Sequence, residues 1–164
     1  QEKYPDEVKA LIGLDWALPS SYEDLKVNQA LLTVAYWSSK IGLLRFFPES
    51  FYIKNPTLTE SERQQYKLLA YKQLMSQAML HESRMVKENA RKVPSSINPK
   101  IPTLLLVSNG QGTSFSQSEW QHYAQKFSSD QPNVQIIYMD ALHELYHYQS
   151  HEVVSQIEEF LKSN

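Results

Sequence analysis

Three short apolar segments, separated by long stretches of helical periodicity, set the pattern of this chain. They read VKALIGL (8–14), TLLLVS (103–108) and VQIIYM (134–139). Runs of this length, rich in branched residues and with a single charged residue among them, Lys9, are typical of strands buried on both faces. Strands followed by helices predict an α/β fold with parallel strands and flanking helices.

The region between the first two segments has a different character. Ser21 is a candidate cap for a helix whose apolar positions recur to about Leu44, and an aromatic loop is expected over 43–52, around Pro48. The letters TESE (59–62) form a capping box that predicts a second helix to about residue 77, and 79–92 predicts a third. Three consecutive helices with no strand between them predict an all-helical lid over 20–93.

The remaining parts are 1–19 and 94–164, which we expect to form the core. Three prolines in 94–102 predict a linker, and the capping box SQSE (116–119) predicts a helix to about residue 127. A closing helix is expected over 152–162. Its predicted inward face consists of Val153, Val154, Ile157, Phe160 and Leu161.

Composition narrows the classes of function. Lys and Arg total 16 against 18 Asp and Glu, so the chain lacks the positive charge that favours nucleic acid. No cysteine is present, which excludes a thiolate nucleophile. No apolar run approaches the ~20 residues of a membrane span. We expect a cytoplasmic protein, and because it begins without methionine inside an apparent element, we expect an absent upstream portion.

Two ionisable residues stand at strand ends. Asp15 follows the first strand and His143 follows the third. Ligands of α/β sheets bind outside the carboxyl ends of the strands, and a carboxylate that orients an imidazole is half of a nucleophile, base and acid triad. The alternative is that both are ordinary polar residues at turns.

A metal site is a second interpretation of the same region. His143, Glu144 and His147 match the HExxH zinc pattern, and His151 offers a third ligand. That motif requires one continuous helix, whereas the residues before it are strand-like. We therefore expect no metal and no organic cofactor.

A set of aromatic residues is a candidate substrate pocket, although such residues more often belong to the core. The candidates are Trp16, Tyr36, Trp37, Phe46 and Phe47.

The order of these elements resembles the C-terminal half of a lid-bearing α/β-hydrolase. The resemblance lies in VKALIGLDWALP, the helical insertion, KIPTLLLVSNGQGT, and IIYMDALHELYHYQSHEVVSQIEEFL. It implies a partial α/β-hydrolase fold with His143 as the catalytic histidine. The family's acid usually follows the strand that reads TLLLVS here, where no carboxylate stands. A subset that includes some haloalkane dehalogenases places the acid one strand earlier, which favours Asp15 over its competitor Asp140.

The resemblance also implies a missing part. The family's G-x-S-x-G nucleophile elbow is absent from this sequence. We therefore expect a serine hydrolase of an ester or related acyl bond of a small apolar substrate, with the N-terminal half of the same hydrolase or another copy of the chain as partner. The alternatives are a dehalogenase- or lactonase-type hydrolase, a non-catalytic binding module, or an inactive fragment.

Overall fold

The computed structural model describes residues 3–46, 58–94 and 96–164. The chain divides into two compact units. Gln1–Leu25 and Ala90–Asn164 form the first, and Lys26–Asn89 form the second.

A parallel sheet of three strands lies at the centre of the first unit. The strands are β1 (Leu11–Leu14), β2 (Thr103–Val107) and β3 (Val134–Tyr138), in the spatial order β1-β2-β3. All five residues of β2 are buried. The expected mixed α/β architecture with parallel strands is thus confirmed.

Helices cover both faces of this sheet. On one face Leu104 and Leu106 pack into a core cluster with residues of α7 (Ser150–Ser163). On the other face Leu105 and Val107 pack against α5 (Gln117–Ser128). Alternate residues of β2 therefore supply two cores, as the period of a strand requires. The first unit also contains two short helices, α1 (Pro19–Asp24) and α6 (Leu145–Tyr148), and a 3-10 turn at Pro5–Glu7.

The second unit is helical within its described residues. It contains α2 (Gln29–Lys40), α3 (Glu60–Gln73), most of α4 (Gln77–Lys92), and a 3-10 turn at Leu43–Phe46. The Ser39 hydroxyl donates to the carbonyl of Leu74 at 2.9 Å, and Arg84 donates to the Thr33 hydroxyl at 3.2 Å. These bonds link α2 to the end of α3 and to α4. No helix in the described ranges has the length and apolar character needed to cross a membrane.

Two predicted boundaries of the elements were wrong for local reasons. Strand β1 begins at Leu11 instead of residue 8, because its partner in the register is Thr103 and the residue before that is Pro102, which has no N–H to pair. The helix expected from Ser21 to about Leu44 is two helices. Pro19 occupies the first turn of α1, so Ser21 lies inside that helix, and Asn28 caps α2 by accepting from the Leu31 N–H at 3.0 Å.

Both predicted capping boxes are confirmed, at Thr59 with Glu62 and at Ser116 with Glu119. Helix α3 ends at Gln73, earlier than predicted, because Met75 adopts a left-handed conformation with φ 54°. Most of the predicted aromatic loop, residues 47–52, lies outside the described residues.

The inward face predicted for the closing helix is narrower than expected. Val153 and Phe160 are buried, and Ile157 packs against their cluster, but Val154 is 53% exposed and Leu161 is 41% exposed. Hydrophobic character at about the right spacing does not distinguish the edge of a helix face from its centre.

Two adjacent valines of α7 test this packing directly. Val153→Ala is expected to lower the free energy of unfolding by about 2 kcal/mol, because it removes buried methyl groups and leaves a cavity. Val154→Ala makes the same chemical change at an exposed position and is expected to change it by less than ~0.5 kcal/mol. Urea unfolding followed by circular dichroism measures both. Equal effects of the two variants would contradict the described core.

Candidate functional site

Asp15 continues β1 by one residue and then turns the chain. Its N–H donates to the Leu106 carbonyl at 2.8 Å, and its φ is 53°, in the left-handed region. Few residues other than glycine adopt this conformation, and Asp and Asn are among those enriched in it. The side chain is buried, with the whole residue 2% exposed.

Three nitrogen atoms contact the oxygens of the buried carboxylate. Oδ1 accepts from the Ser108 N–H at 2.7 Å and from the indole N–H of Trp120 at 2.8 Å. Oδ2 lies 2.6 Å from Nδ1 of His143. A buried carboxylate is stable only when donors replace the water it has lost, and both oxygens of Asp15 meet this requirement.

His143 lies in the loop after β3 and approaches Asp15 across the end of β2. The loop that follows β2 holds its backbone, since the His143 N–H donates to the Gln111 carbonyl at 2.8 Å. Gly112 has φ 94°, and a Cβ at this position would lie 3.4 Å from Cβ of His143. The imidazole is 40% exposed. One side of the ring is therefore held by the protein while part of it faces solvent.

The pKa values of Asp15 and His143 both shift in the direction that favours their charged forms. Burial alone raises the pKa of the Asp15 carboxyl, but the hydrogen bonds from His143, Ser108 and Trp120 outweigh it, so that the net pKa is lowered. The hydrogen bond to Asp15 raises the pKa of His143; burial opposes this, and the negative charges of Asp15 and Glu144 add to it. This arrangement suits a histidine that accepts a proton at one nitrogen while a carboxylate stabilises the resulting cation at the other.

The competing assignments do not meet at this site. Asp140 accepts from the side-chain amide of Asn109 at 3.1 Å and makes no hydrogen bond with His143. The HExxH residues are not on one helix, because His143 precedes α6, which begins at Leu145. Within the described ranges, no group of three His, Cys, Asp or Glu residues is placed to hold a metal ion.

The predicted pocket residues divide between the two units. Trp16 belongs to the first unit and covers Gly13, where a Cβ would lie 2.8 Å from its ring. Tyr36, Trp37 and Phe46 belong to the second unit. The rings of Tyr36 and Trp37 meet edge-on at 5.4 Å, and Phe46 is 85% exposed. Phe47 lies outside the described residues, and a common pocket stays a prediction.

A groove of about 340 Å³ lies beside Trp16 in the first unit. Its lining is mostly apolar and includes Leu18 from the turn after β1, Ile97 from the linker and Phe127 from α5. Among the predicted pocket residues, Trp16 therefore borders a groove and directly follows Asp15 in the sequence.

Sequence reasoning missed the contributions of Ser108 and Trp120. The proximity of Ser108 to Asp15 could have been predicted, because Ser108 follows the last residue of β2 and parallel strands end at the same edge of a sheet. Trp120 falls within the helix that the capping box at 116–119 predicts. Nothing in its helical spacing indicates that its N–H meets a carboxylate 105 residues away.

Comparison with known proteins identifies a distant relative. The chain is 28% identical over 175 aligned positions to the uncharacterized protein YbdG of Bacillus subtilis (strain 168). The match covers 98% of this chain and 53% of YbdG, so the chain spans about half the length of this relative. No protein-family model and no solved structure matches the chain at a significant level.

Replacing Asp15 tests the electrostatics of the pair. In Asp15→Asn the pKa of His143 is expected to fall below its wild-type value, because the hydrogen bond that raises it most is weakened while burial, which lowers it, remains. Titration of the His143 ring by NMR measures the change. Asp140→Asn removes a carboxylate near the same strand exit and is expected to leave the titration unchanged. The same midpoint in wild type and Asp15→Asn would rule out the coupling.

Stability against pH gives an independent check of the same pair. The lowered pKa of Asp15 contributes stability above its unfolded-state pKa of ~3.9, and this contribution is lost as pH falls through the folded-state pKa. The raised pKa of His143 contributes stability below its unfolded-state value of ~6.5, and this is lost as pH rises through the folded-state pKa. Unfolding curves recorded across this range are expected to show both slopes in wild type; in Asp15→Asn the contribution of Asp15 is lost and that of His143 is reduced or reversed.

Proposed function

We propose that this chain supplies the acid and the histidine of a serine hydrolase of the α/β-hydrolase type. The substrate class is an ester or related acyl bond of a small apolar molecule. The observation that carries the proposal is the 2.6 Å contact between Nδ1 of His143 and the buried carboxylate of Asp15. No cofactor takes part in this proposal.

The geometry of the pair defines the role of each nitrogen. Because Nδ1 faces Asp15, this nitrogen carries the proton and Nε2 is left to act as a base. Within the described part of the chain, the hydrogen bond to Asp15 is the only one that the His143 ring makes. In the proposed reaction Nε2 accepts the proton of a serine hydroxyl as the oxygen attacks the acyl carbon, and later returns a proton to the leaving group.

The topology supports the assignment of the acid. In a parallel sheet with order β1-β2-β3, Asp15 leaves the end of β1 and His143 leaves the end of β3. The second unit is inserted between β1 and β2 in the sequence. An acid and a histidine at the carboxyl ends of the last strands, with a helical insertion before the penultimate strand, are features of lid-bearing α/β-hydrolases.

The apolar surroundings support the proposed substrate class. Trp16 directly follows Asp15 and borders the apolar groove of the first unit. Tyr36, Trp37 and Phe46 supply aromatic surface on the helical unit that the proposal treats as the lid. An apolar lining with few charges selects small apolar molecules over ionic ones.

The nucleophile of the proposed reaction comes from the N-terminal half of the same hydrolase, and β1 pairs with that half or with a second copy of the chain. Among the described residues β1 is an edge strand, which supports this pairing. The N–H groups of Leu11 and Asp15 donate towards β2, so by the period of two those of Ile12 and Leu14 point away from it. An unpaired strand edge is a template for a further strand.

Labelling of an active serine tests the proposed function. The chain, purified with any polypeptide that accompanies it, is treated with a fluorescent fluorophosphonate and analysed by electrophoresis and intact mass. Labelling of a serine is expected, with a loss of roughly 10³-fold or more in its rate in His143→Ala, because the nucleophile loses its base. His151→Ala removes an exposed histidine of α7 and is expected to label normally.

Two results count against the proposal. If neither this chain nor an accompanying polypeptide takes the label, the serine hydrolase assignment fails. If labelling persists at full rate in His143→Ala, a serine reacts independently of the pair, and the proposed role of His143 is wrong.

A pair of substitutions at one exposed position tests the proposed partner. The chain is expected to associate, with itself or with the accompanying segment, through the edge of β1. Leu14→Pro removes an outward N–H and is expected to weaken association at least about tenfold, whereas Leu14→Ala keeps the N–H and retains most of it. Analytical ultracentrifugation measures both. A wild-type chain that stays monomeric and alone at all concentrations contradicts the proposed pairing.

A further inference from the structure

Trp120 occupies a special place beside the Asp15–His143 pair. It lies in the second turn of α5, it is buried with 5% of its surface exposed, and its ring stacks on that of Phe115 with centroids 5.8 Å apart. On the loop after β2, a Cβ at Gly110 would lie 3.2 Å from Cβ of Trp120, so only glycine fits comfortably there. Phe115 thus packs against the indole ring, and the loop at Gly110 passes close to the Cβ of Trp120.

The indole contacts both members of the pair. Its N–H donates to Oδ1 of Asp15 at 2.8 Å, and its ring meets the imidazole of His143 edge-on, with centroids 5.7 Å apart and an angle of 89° between the planes. The hydrogen bond limits rotation of the carboxylate about its Cβ–Cγ bond. The ring contact limits rotation of the imidazole. One side chain therefore restricts the two rotations that would separate Nδ1 from Oδ2.

The division of donors between the two oxygens makes this restriction specific. The Ser108 N–H and the Trp120 indole N–H both donate to Oδ1, and Nδ1 of His143 contacts Oδ2. With Oδ1 held by two donors from different elements, Oδ2 is directed to the histidine. Without the indole, Oδ1 would lose one of these two N–H donors and keep the bond from the Ser108 N–H.

We propose that Trp120 is a positioning residue that fixes the carboxylate of Asp15 and the ring of His143 in their productive arrangement. The structural part of the inference rests on the contacts above, and its catalytic consequence rests on the proposed function. Trp120 does not touch the reacting atoms in this scheme. It acts through Asp15 and His143, as supporting residues do at sites that need accurate geometry.

NMR of the indole N–H groups tests the inference without any assay of activity. The chain has three tryptophans, so the ¹⁵N-labelled protein gives three indole signals, and Trp120→Phe identifies one of them. The signal of Trp120 is expected to shift with pH at the same midpoint as the ring of His143, and in Asp15→Asn this response is expected to weaken and to move to the lower midpoint of His143. Trp37 lies in the other unit and is the internal control.

A tryptophan with a merely structural role gives a different spectrum. If the Trp120 signal does not follow the titration of His143, or follows it unchanged in Asp15→Asn, the inference is overturned. This holds whether or not the protein is a hydrolase. Conversely, a normal NMR response with no fluorophosphonate labelling would retain the positioning role and reject the proposed function.

Paired variants of α5 test the consequence for the reaction. Trp120→Phe keeps an aromatic ring but cannot donate to Asp15, and the rate of fluorophosphonate labelling is expected to fall roughly tenfold to a hundredfold, the equivalent of one hydrogen bond to a charged group. Tyr123→Phe, one turn along, removes a donor to a different carboxylate, Asp24, and is expected to keep the wild-type rate. Equal rates in wild type and folded Trp120→Phe would overturn the catalytic part.

Discussion

The buried carboxylate of Asp15 is the constraint on which this end of the sheet depends. A charge removed from water must be matched by donors, and here the donors come from three further elements: the end of β2, the loop after β3, and α5. Satisfying one carboxylate therefore fixes four parts of the chain relative to one another. The left-handed backbone of Asp15, which strains a residue other than glycine, is retained at the point where this convergence occurs.

The same contacts explain why the His143 ring is fixed in place and still partly exposed to solvent. Its ring is held at Nδ1 and along one edge, yet it remains 40% exposed. A fully buried imidazole would be unable to exchange protons with a substrate, and a fully exposed one would rotate freely. The loop with Gly110 and Gly112 creates this intermediate state, because it brings a backbone close to both Trp120 and His143 without a side chain in the way.

The candidate site lies in the first unit, whereas the second unit has many exposed apolar side chains. The sheet, both core clusters and the acid and histidine pair belong to the first unit. The second unit is helical where described, and its α2 has no fully buried residue while several of its large apolar side chains are exposed. Burial of apolar surface therefore stabilises the second unit less than it stabilises the first. In the proposed hydrolase this matches a lid, which needs apolar surface for a substrate more than it needs a core of its own.

Local patterns in the sequence determined much of the fold. The three apolar runs predicted three parallel strands, and both capping boxes predicted helix starts, because strand burial and helix capping depend on neighbouring residues. The position of Asp15 and His143 at strand ends also followed from this order. The pairing of Asp15 with His143 was expected from the family resemblance, but its geometry was not, since it depends on β2 lying between β1 and β3 and on Ser108 and Trp120 supplying donors from 93 and 105 residues away. Only the tertiary structure decided how the carboxylate is held and which of its oxygens meets the histidine, because distances across the sheet are not encoded in spacing along the chain.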